Sequence, residues 1–344
     1  MAIRMTGPLS ILSDARWIGA HGIGRFAGEV LRRLPPHDRV EQGPRPLSPA
    51  GQLWLACEIA RRRPGVFFSP GFNPPPLCRA PFVFTIHDLI QIRLPAVATP
   101  AKRLYYEAIV KPGCRRAARV LTVSEYSRAE IIEWSGLAED RVVNAGNGVG
   151  PPFAPDGPRY EPGFPYILFV GNGRPHKNLG RLLEAFRKVD FPELRLLLAG
   201  APLKTAGIPN RTRWIACPSD DELARLYRGA SLLVLPSLIE GFGLPALEAM
   251  ACGTPVIVSR AAALPEVVGE AGVYADPLDV ADIRRAMECV LGNAERRAAM
   301  RALGIQRARM FSWDIVAARV LRNLDQVISQ KYDSPLATSG RSAC

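Results

Sequence analysis

The chain carries at residues 240–248 the stretch Glu240-Gly-Phe-Gly-Leu-Pro-Ala-Leu-Glu248, which joins a predicted strand to a predicted helix. Gly241 and Gly243 allow the backbone to approach a ligand closely, because glycine has no side chain, and Pro245 suits the first helical position. The free amides and partial positive charge at the start of that helix favour a phosphate. Each carboxylate could bind hydroxyl groups, so the stretch predicts a site for a phosphate with a polyol on either side. A ligand of this composition is a nucleotide-sugar.

Predicted strands and helices alternate around this stretch, which is typical of parallel βα units. In the second half of the chain, apolar patterns predict strands at 166–170, 194–198, 231–235 and 255–259, and helices at 178–188, 220–228, 244–251, 280–291 and 293–310. In the first half they predict strands at 81–86 and 119–123, and helices at 25–34 and 126–134. The sequence therefore predicts an α/β fold.

Two domains are predicted. The segment 151–165 is rich in proline and glycine and cannot sustain a helix or a central strand, so it is expected to be a linker. It separates a Rossmann-like, doubly wound domain at 1–150 from a second one at 166–311. A long helix is predicted at 312–331, and the small polar residues at 332–344 are expected to form a disordered tail.

The bulk composition restricts the function classes. A chain of 344 residues with 48% hydrophobic and 22% charged residues suits a globular protein of two ordinary domains. No apolar run approaches the roughly 18 residues of a membrane span, and the first residues do not resemble a signal peptide. Seven scattered cysteines argue against a zinc site or a disulfide framework and fit a reducing cytoplasm.

The net charge of +12 indicates an acidic partner, which could be nucleic acid, an anionic membrane or a phosphorylated substrate. Nucleic acid is not expected, because no nucleic-acid module signature is present. The basic and tyrosine-containing segment 102–119 could contact an anionic membrane surface. Its alternative role is a plain solvated face.

The longer run at 236–257 resembles the Glu-x7-Glu signature of the retaining glycosyltransferases of family 4, which have the GT-B architecture. In general character the chain resembles the bacterial polysaccharide mannosyltransferases of that family. The resemblance implies two Rossmann-like domains facing across a cleft, with the acceptor in the first and the donor in the second. The helix at 312–331 would cross back onto the first domain. The alternative is an ordinary strand–loop–helix unit with two solvated glutamates.

The resemblance also implies roles for residues of the 240–248 stretch. Glu240 is expected to act in catalysis by binding hydroxyls of the transferred sugar, together with the backbone amides of Phe242, Gly243 and Leu244. Glu248 is expected to bind the ribose hydroxyls of the donor.

A second donor-binding segment lies at 171–178, between a predicted strand and a predicted helix. It resembles the family's diphosphate clamp, in which Arg174 and Lys177 would stabilise the charge that develops on the leaving group. The chain departs from the family pattern at His176, where members often carry arginine. The alternative is a basic solvated loop.

The first domain offers two further segments. His87 follows a predicted buried strand at the edge where parallel sheets bind ligands, and by resemblance it would contact the transferred sugar, with Asp88 in a helping or structural role. Gly22 and Gly24 match a dinucleotide fingerprint weakly, because no acidic residue follows about twenty residues later. By resemblance they form a loop near the β-phosphate and the acceptor.

No cofactor and no metal is expected, because the Asp-x-Asp arrangement of metal-dependent transferases is not seen. The expected donor is GDP-mannose, followed by UDP-glucose, and the expected acceptor is a glycan or a polyprenyl-diphosphate-linked sugar. The reaction would serve polysaccharide assembly at the cytoplasmic face of the membrane. Two alternatives remain open: a non-catalytic scaffold that binds a nucleotide-sugar, and a sugar-nucleotide epimerase.

Overall fold

The fold was obtained as a computed structural model that describes residues 10–19, 21–200 and 209–333. Within those residues the strands form two six-stranded sheets, and every strand pair is parallel. The predicted α/β architecture of two doubly wound domains is confirmed. The first nine residues, where a signal peptide is not expected, and most of the expected tail, residues 334–344, lie outside the described residues.

The first domain is built on a sheet with strand order β2-β1-β3-β4-β5-β6. Its strands are Ile11–Asp14 (β1), Asp38–Val40 (β2), Val66–Ser69 (β3), Phe82–Thr85 (β4), Arg119–Thr122 (β5) and Val142–Asn144 (β6). Its helices are Gly22–Arg33 (α1), Pro49–Arg62 (α2), Ile90–Arg93 (α3), Pro100–Tyr105 (α4), Lys111–Arg116 (α5) and Glu125–Ser135 (α6), with a π-helical turn at Tyr106–Val110.

The second domain has the strand order β12-β11-β10-β7-β8-β9. Its strands are Tyr166–Val170 (β7), Arg195–Gly200 (β8), Thr212–Ala216 (β9), Leu232–Leu235 (β10), Val256–Ser259 (β11) and Val273–Ala275 (β12). Its helices are Leu179–Arg187 (α7), Asp220–Gly229 (α8), Leu244–Ala251 (α9), Leu264–Val268 (α10), Val280–Leu291 (α11) and Ala294–Ala308 (α12). The segment 151–165 between the domains, all of it described, contains neither helix nor strand.

The last helix, Trp313–Asp333 (α13), packs on the first domain although it follows the second in sequence. It lies against α1, β3 and β5, and Asp314 forms an ion pair of 2.6 Å with Arg33 of α1. Trp313 is buried beside Phe26. The helix continues to Asp333, two residues past its predicted end.

Local sequence explains where the well-predicted elements begin. Ser219 and Glu222 form a reciprocal capping box at the start of α8, and Ser124 caps α6 by accepting from the Ser127 amide. The four residues of β10 are all buried apolar side chains, as expected of a central strand in a parallel sheet.

Two sets of expectations need correction. Helix α1 begins at Gly22 rather than at Arg25, because the His21 side chain caps it and the first-turn amides need no intrahelical partner. The apolar patterns do not detect the strands β1, β2, β3, β6, β9 and β12 or the helices α2, α3, α4, α5 and α10. Strand β2 buries only Val40, so it carries almost no hydrophobic signal.

Candidate active site

The candidate site lies at the carboxyl ends of the strands, at the switch point of each sheet, where the strand order reverses. Strands β1 and β3 flank the switch in the first sheet, and β7 and β10 flank it in the second. Open α/β sheets bind ligands at such points. The loop at 171–178 follows β7 and the loop at 236–243 follows β10, so the topology brings the clamp segment and the 240–248 stretch together.

Lys177 and Glu240 meet in this crevice. The Lys177 ammonium Nζ lies 2.7 Å from the Glu240 carboxylate Oε1, and the Ser237 hydroxyl donates to the same oxygen at 2.6 Å. Glu240 is buried and Lys177 is half-buried. The pair therefore puts a held positive charge beside a carboxylate that can still accept hydrogen bonds. Arg174, on the same loop, is exposed.

His176 lies within the clamp loop at 171–178. It is buried, and its backbone carbonyl accepts a hydrogen bond of 2.8 Å from the Leu238 amide. Burial, together with the positive charge of Lys177, lowers the pKa of His176 to about 4, so the ring is neutral at pH 7. His176 thus joins the two loops of the crevice and supplies no positive charge to them.

Glu248 lies one turn inside α9 and is also buried. The Tyr227 hydroxyl donates to its Oε2 at 3.0 Å, and the guanidinium of Arg25, from the first domain, forms an ion pair with its Oε1. Burial raises the pKa of Glu248 to about 7, while Arg25 and Tyr227 act in the opposite direction. The alternative of two solvated glutamates is therefore wrong.

The start of α9 presents backbone rather than side chains. Gly243 has φ +103° in the left-handed region that favours glycine, and it precedes the helix without a side-chain cap. The Phe242 ring is buried 5.8 Å from the Phe311 ring, so only its backbone can reach a ligand. Pro245 has no amide hydrogen, and the amides of Ala246 and Leu247 donate to the Gly243 carbonyl at 3.0 Å and 3.3 Å. An anion at the helix start would therefore be bound by the amides of Gly243 and Leu244.

Gly22 and Gly24 lie in the first turn of α1 instead of in a loop. The His21 Nδ1 atom accepts from the Gly24 amide at 2.9 Å, and a Cβ on Gly24 would lie 2.2 Å from the Gly19 carbonyl. A Cβ on Gly22 would lie 3.8 Å from Leu244 of the second domain. The beginnings of α1 and α9 therefore face each other across the cleft.

His87 is held at the opposite wall. Its Nε2 lies 2.9 Å from the Pro70 carbonyl, which can only accept, so Nε2 carries the proton and Nδ1 is an acceptor. Its ring stands edge-on to Phe26 with centroids 5.0 Å apart. Burial lowers the pKa of His87 to about 4. The imidazole is therefore neutral at pH 7.

Asp88 touches the loop of the second domain. A Cβ on Gly241 would lie 2.8 Å from the Asp88 Cβ, so only glycine permits this approach. The Asp88 carboxylate accepts from the Ile90 amide at 3.0 Å, and burial raises the pKa of Asp88 to about 6. His87 and Asp88 thus line one side of a cleft whose other side holds Glu240 and Lys177.

The domains are closed over this cleft by further contacts. Glu266 of the second domain accepts from the amides of Glu125 and Tyr126, at 2.9 Å and 3.0 Å, at the start of α6. The Ser127 hydroxyl donates to the Gly241 carbonyl at 3.2 Å. Among the described residues, no group of three or more His, Cys, Asp or Glu is placed to hold a metal ion.

Two family models match the chain. The model of Glycosyltransferase Family 4 matches residues 16–151, and that of Glycosyl transferases group 1 matches residues 157–307. The O-antigen chain mannosyltransferase B of Escherichia coli is 31% identical over 313 residues, which cover 83% of this chain and 80% of that protein. The chain belongs to glycosyltransferase family 4.

Two further comparisons concern a sequence relative and a solved structure. The serotype-specific mannosyltransferase WbdA of Escherichia coli is 31% identical over 65% of this chain, which spans 31% of WbdA. The sucrose-phosphate synthase of Thermosynechococcus elongatus superposes with a TM-score of 0.74 over 93% of this chain and 99% of that one, at 18% identity. That likeness shows the GT-B fold, and the protein is a glycosyltransferase of that architecture.

Sequence reasoning missed three polar residues of this family 4 site. Arg25 stands beside the glycines in the sequence, but its partner Glu248 lies 223 residues away. Tyr227 lies at helical spacing from Leu223 and Leu226 in the predicted helix 220–228. That spacing indicates a packed apolar face and gives no sign that the hydroxyl forms a hydrogen bond. Ser237 precedes Glu240 by three residues inside the recognised run, and its spacing from Glu240 is a signal that could have found it.

Proposed function

We propose that this glycosyltransferase moves a hexose from a nucleoside-diphosphate sugar to a glycan or polyprenyl-diphosphate-linked acceptor in cell-surface polysaccharide assembly. The observation that supports this most strongly is the Lys177–Glu240 pair, which lies where the strand order reverses, opposite His87 and beside the start of α9. Cation, carboxylate and helix amides supply partners for a phosphate and a sugar within one crevice.

In this proposal the second domain holds the donor. Lys177 and Arg174 bind the diphosphate, and Glu240, together with the amides of Phe242, Gly243 and Leu244, binds hydroxyls of the transferred sugar. Glu248 accepts the ribose hydroxyls. The positive charges and the helix start stabilise the charge that develops on the leaving diphosphate.

The first domain then supplies the acceptor side. The neutral His87 offers Nδ1 as an acceptor to a sugar hydroxyl, and Gly22 and Gly24 let α1 begin close to the β-phosphate. The acceptor hydroxyl attacks the anomeric carbon while the bond from that carbon to the phosphate oxygen breaks. Attack occurs on the face of the departing diphosphate, which takes the acceptor's proton, so configuration is retained.

Mannose is the proposed sugar and GDP-mannose the proposed donor, because relatives that cover most or much of this chain are mannosyltransferases. UDP-glucose is the next donor to test. The O-antigen relative supports the proposed acceptor class.

We also propose contact with an anionic membrane through segment 102–119, on the cytoplasmic face. Leu104 and Ile109 are exposed there, among Lys102, Arg103 and Lys111. None of the described helices is long and apolar enough to cross a membrane.

Thermal shift against GDP, UDP, ADP and their sugar conjugates tests the donor, with and without EDTA. Binding to the folded state stabilises it by RT ln(1 + [L]/Kd). The proposal expects one diphosphate to raise Tm regardless of EDTA and to do so less in Glu248→Gln. No shift with any nucleotide would overturn it.

A second measurement follows the nucleotide-sugar itself. Release of the nucleotide only when an acceptor is added would distinguish a transferase from the scaffold alternative. A nucleotide-sugar that stays intact but has one inverted stereocentre in its sugar would indicate an epimerase.

A further inference from the structure

Arg25 reaches across the cleft into the region assigned to the donor's ribose. It projects from α1 of the first domain and forms ion pairs with Glu248 and Asp220 of the second. Its guanidinium carbon also lies 5.0 Å from the centre of the Phe153 ring, in the linker. These three partners come from different segments, so the guanidinium occupies a built position.

The position of Arg25 leaves little room at Glu248. One carboxylate oxygen of Glu248 is bound by Arg25 and the other by the Tyr227 hydroxyl. The Glu248 side chain is only 5% exposed, while that of Asp220 is 54% exposed. A carboxylate oxygen can accept more than one hydrogen bond, so the obstacle to a ribose is access to the covered carboxylate. Tyr227 is fully buried within the second domain, whereas Arg25 reaches Glu248 from across the cleft. A ribose can therefore reach Glu248 only after Arg25 has withdrawn.

We propose that Arg25 is an internal competitor for the ribose position and thereby sets the affinity for the donor. The inference rests on the proposed role of Glu248 in binding ribose. When the nucleotide binds, two ribose hydroxyls replace the Arg25 guanidinium at Glu248. The half-exposed Asp220 remains an ion-pair partner for Arg25 after this exchange. The apparent Kd equals the intrinsic Kd divided by the fraction of molecules in which Arg25 is withdrawn.

The competition has a distinct signature, because it affects only ligands that reach Glu248. Inorganic pyrophosphate can occupy the Lys177 clamp without displacing Arg25, whereas GDP and UDP cannot bind fully without displacing it. If Arg25 instead contacted the phosphates, its removal would weaken all three ligands. Pyrophosphate therefore distinguishes a competitor from an ordinary phosphate-binding arginine.

The experiment is titration calorimetry of GDP, UDP and pyrophosphate with the wild type, Arg25→Gln and Arg25→Lys. We expect Arg25→Gln to lower the Kd of the preferred nucleotide about fivefold, which is the change expected for loss of one partly exposed ion pair. Arg25→Lys should lie between the two, and pyrophosphate affinity should not change. The matched control is Glu266→Ala, which removes another contact between the domains and should leave the nucleotide Kd unchanged.

If both Arg25 variants bind the nucleotide with an unchanged or higher Kd than the wild type, the competitor role is overturned. A Glu266→Ala protein that gains as much affinity also overturns it, since loosened domains would then explain the effect. The double variant Arg25→Gln with Glu248→Gln tests the underlying function separately. It should bind nucleotide at least about tenfold more weakly than Arg25→Gln alone. Equal affinities would show that Glu248 does not bind ribose, whatever Arg25 does.

Discussion

Glu240 and Glu248, eight residues apart, are both buried and both paired with a cation, yet the origins of the cations differ. Glu240 is bound by Lys177 and Ser237, which belong to the same domain. Glu248 is bound by Tyr227 of its own domain and by Arg25 of the other. One site is complete within a single domain, and the other depends on how the two domains face each other.

This difference assigns different tasks to the two carboxylates. A pair formed within one domain is present whether the cleft is open or closed, so it is preorganised for charge that develops during reaction. A pair formed across the cleft changes whenever the domains move, and it suits the control of binding. Variants at each glutamate should therefore change different kinetic constants.

The largest effect is expected at the preorganised pair. Glu240→Gln leaves Lys177 without a charged partner and removes an acceptor for the transferred sugar. We expect kcat/KM to fall roughly 10³-fold, mostly through kcat. The measurement is nucleotide release from the sugar donor with acceptor present. Glu184→Gln makes the same chemical change in an exposed i,i+4 pair with Lys188 and should keep wild-type activity; retained activity in Glu240→Gln would remove Glu240 from the reaction.

A smaller effect is expected on the other wall of the cleft. His87→Ala removes the neutral acceptor beside the sugar, and we expect kcat to fall about 10²-fold with little change in the donor KM. His37→Ala is the control, because His37 bonds to Ser13 and Pro35 away from the cleft. A rise in KM at unchanged kcat would place His87 in donor binding instead. Because the pKa of His87 is about 4, its contribution should not vary between pH 6 and 8.

The sequence is most informative where short-range chemistry decides the structure. The capping box of Ser219 and Glu222 and the apolar residues of β10 predict elements of the second domain within a few residues. Strand β2 shows the opposite case, since only Val40 of its three residues is buried. Strand β9, at the edge of the second sheet, has no buried residue at all. Such strands exist because a neighbouring strand pairs with them, and no local pattern records that.

The same division applies to the site. The resemblances carried by 236–257 and by 171–178 point to Glu240 and Glu248 and to the clamp residue Lys177, which the structure brings into one crevice. The Arg25–Glu248 contact joins residues 223 positions apart on two domains. Its formation depends on the orientation of the domains, which no segment of sequence encodes alone.

The smallest expected effect concerns the pH dependence of stability and tests Glu248 without any ligand. Burial holds the pKa of Glu248 at about 7, against an ordinary value of 4.5. Between these values the folded protein keeps a proton on Glu248 that the unfolded chain has lost. Rising pH therefore favours unfolding through this group, and its contribution to the free energy of unfolding falls from about pH 4.5 to about pH 7. We expect a loss of roughly 2 kcal/mol.

Other buried groups titrate in the same range, so the informative quantity is the difference between wild type and Glu248→Gln. His87 and His176, with pKa values near 4, make stability rise with pH over the range in which Glu248 makes it fall. Both histidines are present in both proteins, and their contributions cancel in the difference. Urea unfolding from pH 4.5 to 7.5 should show the wild type losing stability relative to Glu248→Gln as pH rises. A constant difference would mean that Arg25 and Tyr227 hold the Glu248 carboxylate ionised throughout, which would make the pair across the cleft as permanent as the one within the second domain.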